Sequence, residues 1–276
     1  MEKYEPNSLL LCRWRCSMLV LVTSKPGVRD VPWRQVLTSS AVWAVVVSHF
    51  TNNWGLYTLM TTLPTYFKKV QGFDIKKNGF VSALPYLVQF IFHVGSGRLA
   101  DFLRVKFNLK TVHVRKLFDC LGHLLPGLAI IALGFVGCND NASVALLVLT
   151  VGSTGFCGAG WYVNFLDLAP QYAGILFGVS NTFSTIPGIV GPYLAGVLTK
   201  ENTVGNWRIV FFIIAALYVF SAVFYAIFGQ GHVQSWAETP LIDNLKQKPT
   251  ITGSESTKSR KTPASVTGPK NSTTET

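Results

Sequence analysis

The stretch GFVSALPYLVQFIFHVGSGRLADFLR, residues 79–104, decides the fold class. From Gly79 to Gly97 it contains no Asp, Glu, Lys or Arg, and charged residues then cluster between Arg98 and Arg104. A helix needs about 20 mostly apolar residues to cross a hydrocarbon core of about 30 Å. The stretch therefore predicts a membrane-spanning helix that ends in a charged turn.

The composition of the whole chain agrees with a membrane protein. Only 13% of the 276 residues are charged, where a soluble domain has about a quarter. The formal charge of +11 resembles that of a nucleic-acid-binding protein, but the basic residues lie in loops and tails between apolar blocks. Positive-inside bias explains this pattern, so we expect no nucleic-acid partner. The predicted fold is an all-α, polytopic six-helix bundle.

The apolar blocks divide the chain into three parts. Residues 1–37 form a predicted cytosolic lead-in, whose apolar run 8–22 is too short to span comfortably; a seventh span or an anchor is the alternative. Residues 38–230 form the transmembrane bundle, and the Ser/Thr/Pro/Lys-rich tail 231–276 is predicted to be disordered in the cytosol. The predicted spans cover about 38–63, 79–100, 117–137, 143–166, 171–198 and 207–229.

Basic residues predict the orientation. Without the flexible tail, the side that holds the lead-in carries 12 Lys and Arg, and the opposite side carries six. The more basic side should face the cytosol, which places both termini there. Asn141 begins a glycosylation sequon on the opposite side, where an acceptor must lie, whereas the sequon at Asn271 lies in the tail and should stay bare.

Motifs for catalysis or metal binding are missing from the sequence. It has no nucleophile elbow, P-loop, HExxH motif or paired carboxylates, and its five cysteines form neither a disulfide framework nor a zinc motif. The small residues of GSTGFCGAGW, residues 152–161, are expected to let two helices approach closely. We therefore predict no enzyme, no cofactor and no metal.

Polar residues at membrane depth indicate a transport path. In the first span, His49, Asn52, Asn53 and Tyr57 fall within an arc of about 140° on a helix. Polar groups are costly in lipid, so this face should point to a water-filled path. The alternative is that these residues only hydrogen-bond to neighbouring helices. His49 titrates near neutral pH when unperturbed, which makes proton coupling possible.

A second polar cluster precedes Pro187 in the fifth span. Its members include Asn181 and Thr182, and we predict that the helix opens locally there and offers backbone groups to a ligand. A kink that serves only packing is the alternative. The predicted substrate path thus comprises His49, Asn52, Asn53, Tyr57, Asn181 and Thr182. The single histidines His93 and His123 are expected to be packing or network residues.

The charged turn after the second span predicts a cytosolic gate. Gly97 should let helices approach, while Asp101 faces another helix N-terminus or pairs with Arg104. Such contacts would close the cytosolic side in one state and release it in the other. A solvated surface cluster is the alternative.

Several blocks resemble a known family. GRLADFLR, residues 97–104, is similar to the loop signature of the major facilitator superfamily. The blocks 31–67, 78–86, 164–192 and 207–238 resemble, in order, the anion/sodium-phosphate cotransporter family, which includes sialin, the vesicular glutamate transporters and putative inorganic phosphate cotransporters. Asn52 stands where the glutamate branch has an arginine, which weakens a glutamate assignment.

The resemblance implies transport. The family has twelve spans in two halves with the anion path between them, and the six spans of this chain resemble the C-terminal half. The expected activity is symport of an organic or inorganic anion with sodium or protons in a plasma, lysosomal or vesicular membrane. The resemblance also implies that the other half carries most of the charged substrate- and ion-coupling residues. The predicted spans agree with this, because no acidic or basic residue lies in their middle. The alternative is a non-transporting half-carrier that binds or regulates a full-length transporter, and a homodimer is a further possibility.

Overall fold

The computed structural model describes residues 27–72, 75–136 and 139–238, with backbone alone over 75–81. The apolar run 8–22, three of the cysteines (Cys12, Cys16 and Cys138), Asn271 and most of the predicted tail lie outside the described residues. Within the described part, eight α-helices follow one another. They are α1 (Trp33–Thr38), α2 (Ser40–Lys69), α3 (Ile75–Lys106), α4 (Thr111–Leu133), α5 (Asp140–Ser153), α6 (Trp161–Leu168), α7 (Ala173–Leu198) and α8 (Val204–Phe228).

Six long helical segments correspond to the six predicted spans, which confirms the predicted all-α class. Four segments in the described part are both long and apolar enough to cross a membrane: 111–133, 140–168, 173–198 and 204–228. Helices α2 and α3 have 30 and 32 residues but are not among these four. Their polar side chains lower the mean hydropathy, and in α2 many of these polar residues are buried inside the bundle.

The fourth predicted span is not one continuous helix. Helix α5 ends at Ser153, a 3-10 turn covers Thr154–Gly158, and α6 begins only at Trp161. Glycines in this stretch pack against other backbones: a Cβ on Gly155 would lie 2.5 Å from the Gln89 carbonyl oxygen, and one on Gly160 would lie 2.8 Å from the Asp119 backbone. The predicted close approach of helices is confirmed, and it occurs at the break in the fourth segment.

The ordered part of the chain extends beyond the last span. Residues 231–238, which the sequence assigned to a disordered tail, pack against the loop before α7. The backbone N–H of Gln234 donates to the carbonyl oxygen of Leu168 at 2.9 Å, and Ala237 is fully buried. On the same end of the bundle, the Tyr172 hydroxyl donates to the Asp30 carbonyl at 3.0 Å. The tail boundary predicted at residue 231 was therefore too early.

A buried polar layer separates two apolar clusters. Along α2, apolar residues 41–45 belong to one cluster and residues 59–67 to the other, while Ser48, His49, Thr51, Asn52 and Asn53 lie between them and are buried. Helix α8 passes through the same layers in the opposite direction, with Ser221 between Tyr218 and Tyr225. This polar layer positions the candidate site near the middle of the bundle.

Candidate functional site in the centre of the bundle

A cavity of about 450 Å³ opens beside the polar layer. Its walls come from α2, α3, α6, α7 and the 3-10 turn between α5 and α6. Five of the six predicted path residues line it: His49, Asn52, Asn53, Tyr57 and Asn181. The helical periodicity of α2 brings four of them to one face, and α7 packs against α2 so that Asn181 joins them.

His49 is held in place by two neighbouring elements. Its Nδ1 lies 2.9 Å from the Ser180 hydroxyl oxygen on α7, at hydrogen-bonding distance. Its ring stacks on the Trp161 indole with 4.2 Å between centroids. The imidazole is nearly inaccessible, although it forms part of the cavity wall. Its contacts therefore serve both helix packing and the cavity.

The two asparagines of α2 bind different partners. The Asn53 side-chain amide donates to the Ser184 carbonyl of α7 at 3.0 Å. The Asn52 amide donates to the Cys157 sulfur at 3.6 Å. The two amides thus connect α2 to α7 and to the 3-10 turn. Hydrogen bonding to neighbouring helices, which was the alternative interpretation of this face, occurs together with a position on the cavity wall.

Of the two predicted path residues on α7, one lines the cavity and the other lies on the outer surface of the bundle. Asn181 lines the cavity, whereas Thr182 does not and is exposed. The Thr182 hydroxyl donates to the Gly178 carbonyl of its own helix at 3.0 Å. Helix α7 is also continuous from Ala173 to Leu198, so the opening predicted near Pro187 is not present. The interrupted helical segment is the fourth one, at the glycines.

Tyr86 adds a further polar group to the cavity wall. Its hydroxyl is buried, and no described residue offers it a hydrogen-bond partner. A buried hydroxyl without a partner carries a desolvation cost of about 1–3 kcal/mol. A ligand with acceptor oxygens would remove that cost.

The residues of the predicted gate lie apart from the cavity. A Cβ on Gly97 would meet no atom within 4 Å, and Asp101 is exposed. Among the described residues, Asp101 and Arg104 form no ion pair with each other. The close helix approach expected at Gly97 is therefore not made by the described part of this chain.

A buried ionisable pair lies on α4, where the sequence analysis expected none. Asp119 is fully buried and lies about 4.5 Å, or three residues, from the midpoint of α4. Its Oδ2 accepts from the Ser48 hydroxyl at 3.2 Å and lies 3.4 Å from His123 Nδ1. The sequence placed Asp119 two residues inside the predicted third span, near its end, and therefore expected no charged residue in the middle of a span. Helix α4 begins at Thr111, six residues before the predicted span, so Asp119 lies nearer the middle than expected.

His123 is the network residue that the sequence predicted. Its Nε2 lies 3.3 Å from the Ser221 hydroxyl and 3.5 Å from the Thr51 hydroxyl, and its Nδ1 lies 3.6 Å from Cys157 Sγ. The other single histidine, His93, lines the cavity and packs its ring against Gly158 and the edge of Tyr162.

Arg115 lies one turn before Asp119 on α4, but its guanidinium binds other groups than the Asp119 carboxylate. Its guanidinium donates from Nε to Asp167 at 2.6 Å and from Nη1 to the Ala159 carbonyl at 3.0 Å. These bonds fasten α6 to α4 beyond the break in the fourth segment. Asp167 thus has a defined partner.

Asn141 is exposed in the first turn of α5, so its side chain is available on the surface. The sequon serine, Ser143, is buried and accepts from the Gln71 amide at 2.9 Å. This bond places the α2–α3 and α4–α5 loops at the same end of the bundle, as an alternating six-span topology requires.

The cavity offers hydrogen bonds without full charges. Amides, phenols and imidazoles line it, and no Lys or Arg is among the described residues of its wall. Such a surface can orient an oxyanion through N–H and O–H donors, but it cannot neutralise one. A cationic group or a coupling cation would have to come from outside this wall.

Comparison with known proteins identifies relatives. The family model described as Major Facilitator Superfamily matches residues 16–192. Human sialin is 48% identical over 209 residues, which cover 76% of this chain and 42% of sialin. Vesicular glutamate transporter 1 from Bos taurus is 40% identical over 209 residues, which cover 76% of this chain and 37% of the relative. The chain thus spans about two fifths of the length of the curated relatives it matches, and these relatives are transporters rather than enzymes.

Proposed function

This chain belongs to the major facilitator superfamily, and we propose that it carries a small organic or inorganic anion across a membrane by sodium- or proton-coupled symport. The central cavity is one wall of the anion site, and a second six-helix bundle supplies the opposite wall. The two bundles rock against each other about this site and so expose it to each side in turn.

The observation that carries the proposal is the set of neutral donors around the cavity. His49, Asn52, Asn53, Tyr57 and Asn181 come from two helices, and the Tyr86 hydroxyl on a third has no partner among the described residues. An anion with several acceptor oxygens, such as phosphate or a carboxylate, satisfies these donors. Sialin and the vesicular glutamate transporters at 40–48% identity support an anionic substrate.

The second bundle is part of the proposal because this wall lacks a cation. It belongs either to a longer form of the protein or to a second copy of the chain. The positive-inside pattern supports an orientation with both termini in the cytosol. A plasma membrane and a lysosomal or vesicular membrane both fit, and the gate proposed at Gly97, Asp101 and Arg104 would pack against the second bundle.

Uptake into proteoliposomes tests this function. The purified chain is reconstituted, and labelled phosphate, glutamate and sialic acid are each offered with a sodium gradient, a pH gradient or neither. Gradient-dependent uptake is expected if copies of the chain assemble, and the effective gradient names the coupling ion. Absence of uptake from a sample whose circular dichroism shows helix would contradict independent transport and favour the half-carrier that needs another bundle.

A matched pair of variants on α7 links uptake to the cavity. Asn181→Ala removes a donor from the cavity wall, while the neighbouring Thr182→Ala changes a hydroxyl that points away from it. One hydrogen bond contributes about 0.5–1.5 kcal/mol, so we expect Asn181→Ala to raise the KM for uptake up to about tenfold and Thr182→Ala to leave it unchanged. Equal KM values for the two variants would place the anion elsewhere.

A further inference from the structure

We propose that Asp119, His123 and Cys157 form a binding site for a thiophilic divalent cation, for which Zn²⁺ is the best fit. Asp119 and His123 are one turn apart on α4, and Cys157 lies in the 3-10 turn between α5 and α6. All three are buried. The proposal does not depend on anion transport, and it departs from the sequence analysis, which predicted no metal.

The donor atoms are spaced like the corners of a tetrahedral zinc site. One ligand atom from each residue lies within 4.8 Å of the other two. His123 Nδ1 is 3.4 Å from Asp119 Oδ2 and 3.6 Å from Cys157 Sγ. Zinc bond lengths and a tetrahedral angle give edges of about 3.4 Å between N and O and about 3.6 Å between N and S. The two edges that meet at His123 therefore match a zinc site, and the third, between Asp119 and Cys157, is no longer than 4.8 Å.

Charge balance also favours a divalent cation here. Asp119 is fully buried and its Oδ1 has no hydrogen-bond partner among the described residues. A buried carboxylate needs a positive partner. Arg115, one turn away, is committed to Asp167 and the Ala159 carbonyl, so among the described residues the partner is either a protonated His123, at 3.4 Å, or a bound cation. Zn²⁺ with one carboxylate, one thiolate and a neutral imidazole has no net charge.

The surrounding hydroxyls suit the outer shell of such a site. Ser48 donates to Asp119 Oδ2 at 3.2 Å, and Ser221 and Thr51 meet His123 Nε2 on the side away from the proposed ion. His123 Nδ1 lies 2.9 Å from the backbone carbonyl oxygen of Asp119. When no metal is bound, the Nδ1–H group donates a hydrogen bond to this oxygen. When a metal is bound, Nδ1 is a ligand and the proton is on Nε2. The Nε2–H group then donates a hydrogen bond to the hydroxyl oxygen of Ser221 or Thr51. Metal-bound histidines usually have this second hydrogen bond.

Cys157 connects the central cavity to the proposed metal site and so provides an entry path for a cation. Its sulfur lies in the cluster, and the residue also lines the central cavity. A cation that enters the cavity therefore meets the cysteine first and then the two ligands on α4.

Cobalt titration tests the site in the full chain. The background carries Ser in place of Cys12, Cys16 and Cys138, so that only Cys120 and Cys157 remain as thiols. The purified protein in detergent is treated with a chelator, dialysed and titrated with Co²⁺. We expect one Co²⁺ per chain, with a thiolate-to-cobalt charge-transfer band and the visible spectrum of a tetrahedral ion. Both spectroscopic features should disappear when Zn²⁺ is added and displaces Co²⁺.

Variants separate this site from other binding. Cys157→Ser should abolish the charge-transfer band, and Asp119→Asn should weaken Co²⁺ binding at least about tenfold, while Cys120→Ser, which changes a cysteine outside the cluster, should bind as the background does. Ser48→Ala should weaken binding about 10–100-fold without removing the band. Circular dichroism confirms that each variant is folded. No band from the folded background, or a band that survives in Cys157→Ser, overturns the proposal.

Discussion

At Gly155, the absence of a single methyl group sets the distance between two segments. A Cβ at this position would lie 2.5 Å from the Gln89 carbonyl oxygen, 2.8 Å from the His93 amide nitrogen and 2.9 Å from Phe92 Cβ. Two of these neighbours are backbone atoms of α3, so no side-chain rotation relieves the contact. The small residue is therefore required by packing.

We predict that Gly155→Ala destabilises the bundle by about 1–3 kcal/mol, the usual cost of overpacking. Gly196→Ala is the matched control, because a Cβ there meets nothing within 4 Å and alanine favours the helix. Thermal unfolding in detergent compares the two variants. A melting temperature for Gly155→Ala equal to that of Gly196→Ala would contradict the close approach.

The sequence predicted the cavity residues better than it predicted the buried charge. Helical periodicity alone places His49, Asn52, Asn53 and Tyr57 on one face, and that face borders the cavity. The Asp119–His123 pair follows from their spacing of four residues on α4, but the Ser48 contact does not, because Ser48 lies on α2 and only packing brings it to Asp119. Thr182 is adjacent to Asn181 but points away, since neighbouring helix residues differ by about 100°.

At the scale of the elements, the fourth segment depends on contacts outside itself. Its two helical parts are separated by the 3-10 turn, and the short α6 has only eight residues. Such a helix is marginal alone, and the Arg115 bonds to Asp167 and Ala159 tie it to α4. The sequence could not reveal this break, because glycine is tolerated in continuous membrane helices and only the neighbours of these glycines explain it.

We predict that Arg115→Ala loosens α6. Breaking a buried ion pair costs about 3–5 kcal/mol, and the 19% exposure of the Asp167 side chain places the cost below that range. Arg115→Lys should be intermediate, because an ammonium lacks the fork that reaches both acceptors. Hydrogen exchange at the amides of Trp161–Leu168 measures the effect.

Arg104→Ala is the control for that experiment, since Arg104 forms no ion pair within the described residues. Protection of α6 should fall in Arg115→Ala and remain in Arg104→Ala. Equal protection in both variants would mean that packing alone holds α6.

At the scale of the whole molecule, the outer surface of the bundle is apolar and its middle layer is polar. Large side chains on α7 and α8 are exposed, among them Ile189 at 77% and Ile227 at 62%. Water would not favour so many exposed apolar side chains, whereas lipid or a second bundle accepts them. The same arrangement places the loops at two opposite ends, and the proposed orientation assigns one end to the cytosol.

Cysteine labelling in sealed microsomes, whose cytosolic face is outside, tests that orientation. Lys110 and Glu201 are exposed and lie in the loops before α4 and α8, at opposite ends of the bundle. In a background with Ser at Cys12, Cys16 and Cys138, an impermeant maleimide should label Lys110→Cys in intact vesicles and Glu201→Cys only after detergent is added. The reason is the excess of basic residues on the Lys110 side. The reverse pattern would invert the orientation, and labelling of both variants from outside would contradict an odd number of spans between the two loops.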